Sequence, residues 1–299
     1  MGQNYVITQA PDTAEVGLPE PECDLATDTV VIPVKLCNLP PLNAVASQVL
    51  ALSANPDVDL GQLSDIMKRD PAFAADVLLL ANSSLFGFPQ RMHSLLHAAA
   101  VLGLERIQAL AVTVAMRGFL GKNSPLIRQC WQHSAASALI CEELAPIFGV
   151  TSDVAYTAGL MHDIGLLGFV KSYRKEIETV LTTAYDTVEQ VLAAEKALLG
   201  VHHGRAGAWL VRNWALPATL EECCEHHHEA FSLTDPDLLK VVKAGSKIAD
   251  ALSFSAFRYT EPPSYDEAVW SAAVTVHRDR FPSGPDLRAS VESKLAVFG

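Results

Sequence analysis

A histidine and an aspartate stand side by side inside an apolar run, Gly159-Leu160-Met161-His162-Asp163-Ile164-Gly165. Burying an imidazole and a carboxylate is costly unless other polar groups pair with them. The chain is therefore constrained to fold so that partners reach this pair from distant segments. The two side chains offer nitrogen and oxygen ligands to a metal ion, or a hydrogen-bonded pair without one.

The periodicity around this pair is helical. Leu42, Val45, Val49 and Leu52 recur at three and four, and Asp59 caps a following helix through Leu63, Ile66 and Met67. Asp70-Pro71 opens another, with Phe73, Val77 and Leu80 on its inner face. Leu85-Phe86-Gly87-Phe88-Pro89 breaks the pattern. Ser94 restarts it through Leu95, Ala98, Ala99 and Leu102 until Gly103, and an apolar helix follows from Glu105 to Leu120. A long helix is expected from Ser124 to Phe148, where His133 shares an inward stripe with Leu126, Cys130, Ser137, Ile140 and Leu144. A later helix, Leu238 to Leu252, carries Asp250. With no alternating β pattern, the expectation is an all-α fold of two closely packed helical lobes. Residues 1–34, rich in proline (Pro11, Pro19, Pro21, Pro33), read as a mobile or loosely docked lead-in. Residues 35–122 form the first lobe, 123–253 the second around His162-Asp163, and 254–299 a C-terminal extension. The extension holds helices Tyr265–Val274 and Asp286–Val297, suited to covering the second lobe or to a homodimer contact.

Composition narrows the function classes. With 299 residues, 49% hydrophobic and 19% charged, the chain can bury a full core. No apolar run reaches the ~18 residues of a membrane span, and the first residues carry no export signal, so a cytoplasmic location is expected. The six cysteines show no Cys-x-x-Cys pair or disulfide framework, and Cys223 and Cys224 read as core residues rather than zinc ligands. A net charge of −12 disfavours a broad nucleic-acid contact.

Several ordered landmarks resemble the HDOD family, the HD-related output domains of bacterial signalling proteins. They are Leu39-Pro40-Pro41-Leu42, Asp70-Pro71-Ala72-Phe73, Leu79-Leu80-Ala81-Asn82-Ser83, and Ala98 to Leu102-Gly103-Leu104-Glu105-Arg106. The resemblance spans roughly residues 35 to 235 and implies that the second lobe is an HD-like helical bundle. The later polar residues follow the ligand order of the HD phosphohydrolase superfamily. That likeness assigns His133, His162, Asp163 and Asp250 to a first divalent metal, and His203, His227 and His228 to a second. His202 and His203 compete for one role, and the family pattern favours His203. Mixed imidazole and carboxylate ligation suits iron, manganese or zinc, as one ion or two.

Three departures count against the cyclic di-GMP hydrolases of the HD-GYP branch. Leu166 stands where their lysine contacts substrate phosphate, Gln129 where some members carry a glutamate, and Ala230-Phe231-Ser232-Leu233 lacks the Gly-Tyr-Pro signature. The resemblance implies a signal-transduction module acting through signalling proteins or a small phosphorylated ligand, with a metal in its pocket. The alternative is a metal-dependent phosphohydrolase acting on a nucleotide or other phosphoester, in which Asp163 is the residue catalysis depends on.

Overall fold

The computed structural model describes residues 5–8, 30–52, 59–83, 91–121, 124–273 and 276–296. Strands β1 (Tyr5–Thr8) and β2 (Val30–Pro33) lead into α1 (Val34–Cys37), α2 (Ala44–Ala51), α3 (Leu60–Met67), α4 (Pro71–Ala81), α5 (Leu95–Leu102) and α6 (Leu104–Leu120). Next come α7 (Pro125–Phe148), α8 (Ser152–Met161), α9 (Ile164–Ser172), α10 (Arg174–Thr182), β3 (Ala184–Tyr185), α11 (Val188–Leu199), α12 (His203–Asn213) and α13 (Ala218–His226). The chain closes with α14 (Asp237–Ala251), β4 (Arg258–Tyr259), α15 (Tyr265–Ala272) and α16 (Gly284–Leu295). The all-α expectation holds, with two short exceptions. β1 pairs with β2 in parallel, in a β-branched stretch ending Val30-Val31-Ile32, and β3 pairs with β4 over two residues.

Side-chain caps set half of the helix starts among the described residues. Asn43, Asp59, Asp70, Ser94 and Ser124 each accept hydrogen bonds from backbone N–H groups in the first turn they precede. Pro71 and Pro125 occupy the first helical positions, where their missing N–H groups cost nothing. Ser264 and Glu267 form a reciprocal capping box on α15. The predicted breaker Leu85–Pro89, and Pro11, Pro19 and Pro21 of the lead-in, lie outside the described residues. The end of the lead-in is docked, with Ile32 fully buried.

One continuous apolar core runs from Ile32 to Val291. Arg106 of α6 ties the first half to the second through Glu142 of α7 and Asp153 of α8, both at 2.6 Å. Thr113 and Tyr156 add a buried hydroxyl pair at 3.0 Å. The C-terminal extension lies on the second half: α15 packs on α14, and α16 on α7.

Small residues let the helices of that half approach closely. A Cβ on Gly159 of α8 would meet the Cys141 sulfur at 2.7 Å, and one on Gly245 of α14 would meet it at 2.3 Å. The Cys141 thiol of α7 thus fills the space two glycines leave, which draws α7, α8 and α14 together. At Gly165 of α9 a Cβ would lie 2.0 Å from the His203 carbonyl oxygen. Only glycine lets α9 and α12 cross this closely, and that crossing sets His203 beside Asp163.

Candidate metal centre

Four segments deliver side chains to one interior point. His133 comes from the middle of α7, His162 and Asp163 from the turn between α8 and α9, His203 from the first turn of α12, and His227-His228 from the end of α13. His133, His162, Asp163, His203 and His227 are buried, whereas His228 is partly open to solvent.

The hydrogen bonds fix which ring nitrogens face inward. Nδ1 of His162 lies 2.7 Å from the Gly159 carbonyl, Nδ1 of His227 2.8 Å from that of Cys224, and Nδ1 of His133 3.1 Å from that of Phe254. A carbonyl oxygen only accepts, so each Nδ1 carries the proton and each Nε2 presents a lone pair. Nδ1 of His203 lies 2.7 Å from Oε2 of Glu195, which also accepts the His203 backbone N–H at 2.8 Å. The Nε2 atoms then converge. Those of His133 and His162 are 3.3 Å apart, and that of His203 lies 3.4 Å from His227 and 2.8 Å from His228.

Asp163 sits between these sets. Its Oδ2 faces Nε2 of His133 at 3.4 Å and of His162 at 3.5 Å, while Oδ1 faces Nε2 of His203 at 3.4 Å and of His227 at 3.3 Å. Among the described residues Asp163 Oδ1 is buried without a hydrogen-bond partner. The carboxylate is therefore shared by two ligand groups, one with His133 and His162, the other with His203, His227 and His228. Inward lone pairs beside an unsatisfied carboxylate oxygen repel one another until a cation stands among them. This donor set fits transition-metal binding.

The electrostatics agree. Burial pushes His162 down to about 3 and His228 well below the usual imidazole range, so both stay neutral ligands. Burial also acts against charge on Asp163, but His162 and His203 outweigh it and hold the carboxyl well below its usual range. His203 is the exception: the burial penalty is overcome by Glu195 and Asp163, which raise it to about 9, so in the metal-free protein its Nε2 holds a proton that a bound cation would displace.

Asp250, which the resemblance groups with the first metal's ligands, is placed differently. Its Oδ1 lies 3.4 Å from Nδ1 of His133, the ring edge turned away from Asp163, and its Oδ2 accepts from the Tyr259 hydroxyl at 3.2 Å. It belongs to neither converging group. Glu195 backs His203 through its 2.7 Å contact, an arrangement that fixes ring orientation and raises ligand basicity, whereas among the described residues Asp250 Oδ1 is buried beside His133 without a hydrogen-bond partner. Glu195 itself is fully buried and went unrecognised in the sequence. Its signal was a carboxylate on the four-spaced buried stripe Val191, Glu195, Leu199.

The remaining predicted positions separate cleanly. His202 caps α12 through Nδ1 and stays out of the cluster, so His203 is the residue at the centre. His226 pairs with Glu229 on the solvent side at 2.8 Å. Cys223 and Cys224 are core residues, and burial raises the Cys223 thiol to about 12. Gln129 donates to the Ala256 carbonyl, and Leu166 is fully buried.

His228 borders two clefts. One, of about 730 Å³, runs past Lys196, His202, Arg205 and Glu225. The other, of about 310 Å³, is lined by Lys247, Asp250 and Tyr259, with Glu267 and Ser271 of α15 on its far wall.

Fold and site together define an all-helical protein built around an adjacent His-Asp pair. The HDOD domain profile matches residues 39–230, and the chain belongs to the HDOD family. It is 24% identical over 196 residues to an uncharacterized protein of Treponema pallidum (strain Nichols), covering 65% of this chain and 38% of that protein. The matched region is thus well under half that relative's length. An HDOD domain protein of unknown function from Geobacter sulfurreducens has a similar structure, with a TM-score of 0.67 at 21% identity over 86% of this chain and 93% of that one. A protein from Shewanella amazonensis SB2B, provisionally named a phosphohydrolase, gives 0.64 at 23% identity over 87% and 92%. At these identities the likeness is one of fold. Among the described residues no helix is long and apolar enough to cross a membrane.

Proposed function

We propose that this HDOD protein holds two divalent transition-metal ions and hydrolyses a phosphoester. One observation carries the reading: imidazole Nε2 atoms from separate elements converge on both oxygens of a single buried carboxylate. His133, His162 and Asp163 would hold one ion, and Asp163, His203, His227 and His228 the other, with iron, manganese or zinc suited to the donors. When bound, such ions supply Lewis acidity toward a phosphoryl oxygen and make water a better nucleophile near neutral pH. The protein's own residues do the positioning. Asp163 offers one oxygen to each group, Glu195 sets the ring of His203 and the Phe254 carbonyl that of His133, and His228 borders the clefts from which a phosphoester would enter.

A second reading, a regulatory module that keeps the metal but acts through signalling proteins, is favoured by Leu166. That side chain is fully buried, so the position supplies no cation for a substrate phosphate. Manganese-loaded protein assayed on bis(p-nitrophenyl) phosphate and a panel of nucleotides separates the two. The hydrolase reading expects turnover that Asp163→Ala abolishes. Metal-loaded protein inert on every ester would leave the regulatory reading.

A further inference from the structure

We infer that Gln129 is a positioning residue for the metal centre: it clamps the loop 253–257, which follows α14 and holds one imidazole of each ligand group in place. The inference rests on the metal-centre reading above and adds a residue that touches no ligand itself.

The loop reaches both groups. The Phe254 carbonyl accepts the Nδ1 proton of His133 at 3.1 Å, and the Phe257 ring lies against the His203 ring with centroids 5.6 Å apart. His133 belongs to one ligand group and His203 to the other. The chain leaves α14 through Ser253 at φ +71°, left-handed backbone that a residue with a side chain adopts at a cost. The N–H groups of Ser253 and Phe254 close the helix end on the carbonyls of Asp250 and Ala249, and the Phe257 N–H donates to the Ser255 hydroxyl at 3.1 Å. These bonds are local to the loop and the helix end before it. The bond that ties the loop to α7 comes from Gln129, whose side-chain amide donates to the carbonyl of the fully buried Ala256 at 2.7 Å. Gln129 lies one turn before His133, so one helix both presents the ligand and grips the loop that orients it. The amide is specific to this task. A carboxylate at the same place has no proton to donate and would face the carbonyl oxygen with like charge. The loop lies beyond residues 39–230, which match the HDOD profile.

The test compares wild type with three variants. Gln129→Met keeps the length of the side chain without its donor, Gln129→Glu keeps its shape without a donor, and Tyr156→Phe removes the buried hydroxyl contact between α6 and α8 as a control for stability alone. Two quantities are read on the full chain, with the urea midpoint measured on each sample. One is solvent exchange of the His133 ring proton, followed by NMR in the metal-free state; the other is manganese affinity by competition with a chelator. Both Gln129 variants should speed the exchange about tenfold, the loss of one hydrogen bond. They should also weaken both manganese equivalents roughly tenfold or more. Tyr156→Phe should lower the urea midpoint with neither change. Exchange and affinity at wild-type values in Gln129→Met overturn the inference, as does a Tyr156→Phe variant that moves them equally far. Wild type that binds no manganese ends the metal-centre reading, and the exchange measurement then decides the clamp alone.

Discussion

At the scale of single residues, the site is a set of imidazoles whose outer nitrogens are already committed. That commitment makes the metal-free protein sensitive to pH from both sides. His162 falls from 6.5 to about 3 on folding, so the unfolded chain binds a proton the folded chain refuses. Stability is lost as pH drops through that window, and the depressed His228 and Asp163 act in the same direction. His203 runs oppositely, rising from 6.5 to about 9, so its contribution is complete below 6.5 and lost as pH climbs to 9. The urea midpoint of metal-free protein should therefore peak near neutrality. Glu195→Gln should flatten the alkaline fall, because the negative charge that raises His203 is gone. The same variant should weaken metal binding by roughly 10–100-fold, the usual effect of removing a carboxylate behind a ligating histidine. Competition with a chelator measures this, and only the equivalent held through His203 should be affected. Unchanged affinity in Glu195→Gln would mean that Glu195 is only a core ion partner.

At the scale of elements, glycines determine where the ligands meet. Gly165→Ala would drive a methyl group into the His203 carbonyl, and the obstacle is backbone, which cannot step aside. We expect a loss of about 1–3 kcal/mol in urea unfolding, together with metal loss, because α12 must retreat and carry His203 from Asp163. A variant with wild-type midpoint and metal content would show that the crossing tolerates a side chain. The helices themselves were legible: Asp59, Asp70-Pro71, Ser94 and Ser124-Pro125 announced their starts through cap chemistry, which is local. The crossings were not. Nothing near Gly165 in sequence indicates that His203 will lie against it, since that contact exists only after α9 and α12 pack. The two short strand pairs were missed for a similar reason, as Tyr5–Thr8 and Val30–Pro33 find each other across more than twenty intervening residues.

At the scale of the whole molecule, the order of polar residues along the chain carried most of the site. His133, His162-Asp163, His203 and His227-His228 meet as that order implied, because the fold closes these segments around one point. Asp250 arrives at the same neighbourhood but on the outer edge of His133, and Glu195 arrives unforeseen. Glu195 is a carboxylate behind an imidazole, and spacing cannot tell such a support from a ligand. The ions should also bind the folded chain in preference to the unfolded one. The thermal midpoint should then rise with free manganese or zinc and fall on chelation, and Asp163→Ala should abolish that dependence. The most direct measurement is elemental analysis of full-length protein purified without chelator. The account predicts on the order of two transition-metal equivalents per chain, lost together in Asp163→Ala because one carboxylate serves both groups. Less than about a tenth of an equivalent in wild type, even after incubation with manganese, iron or zinc, would contradict it.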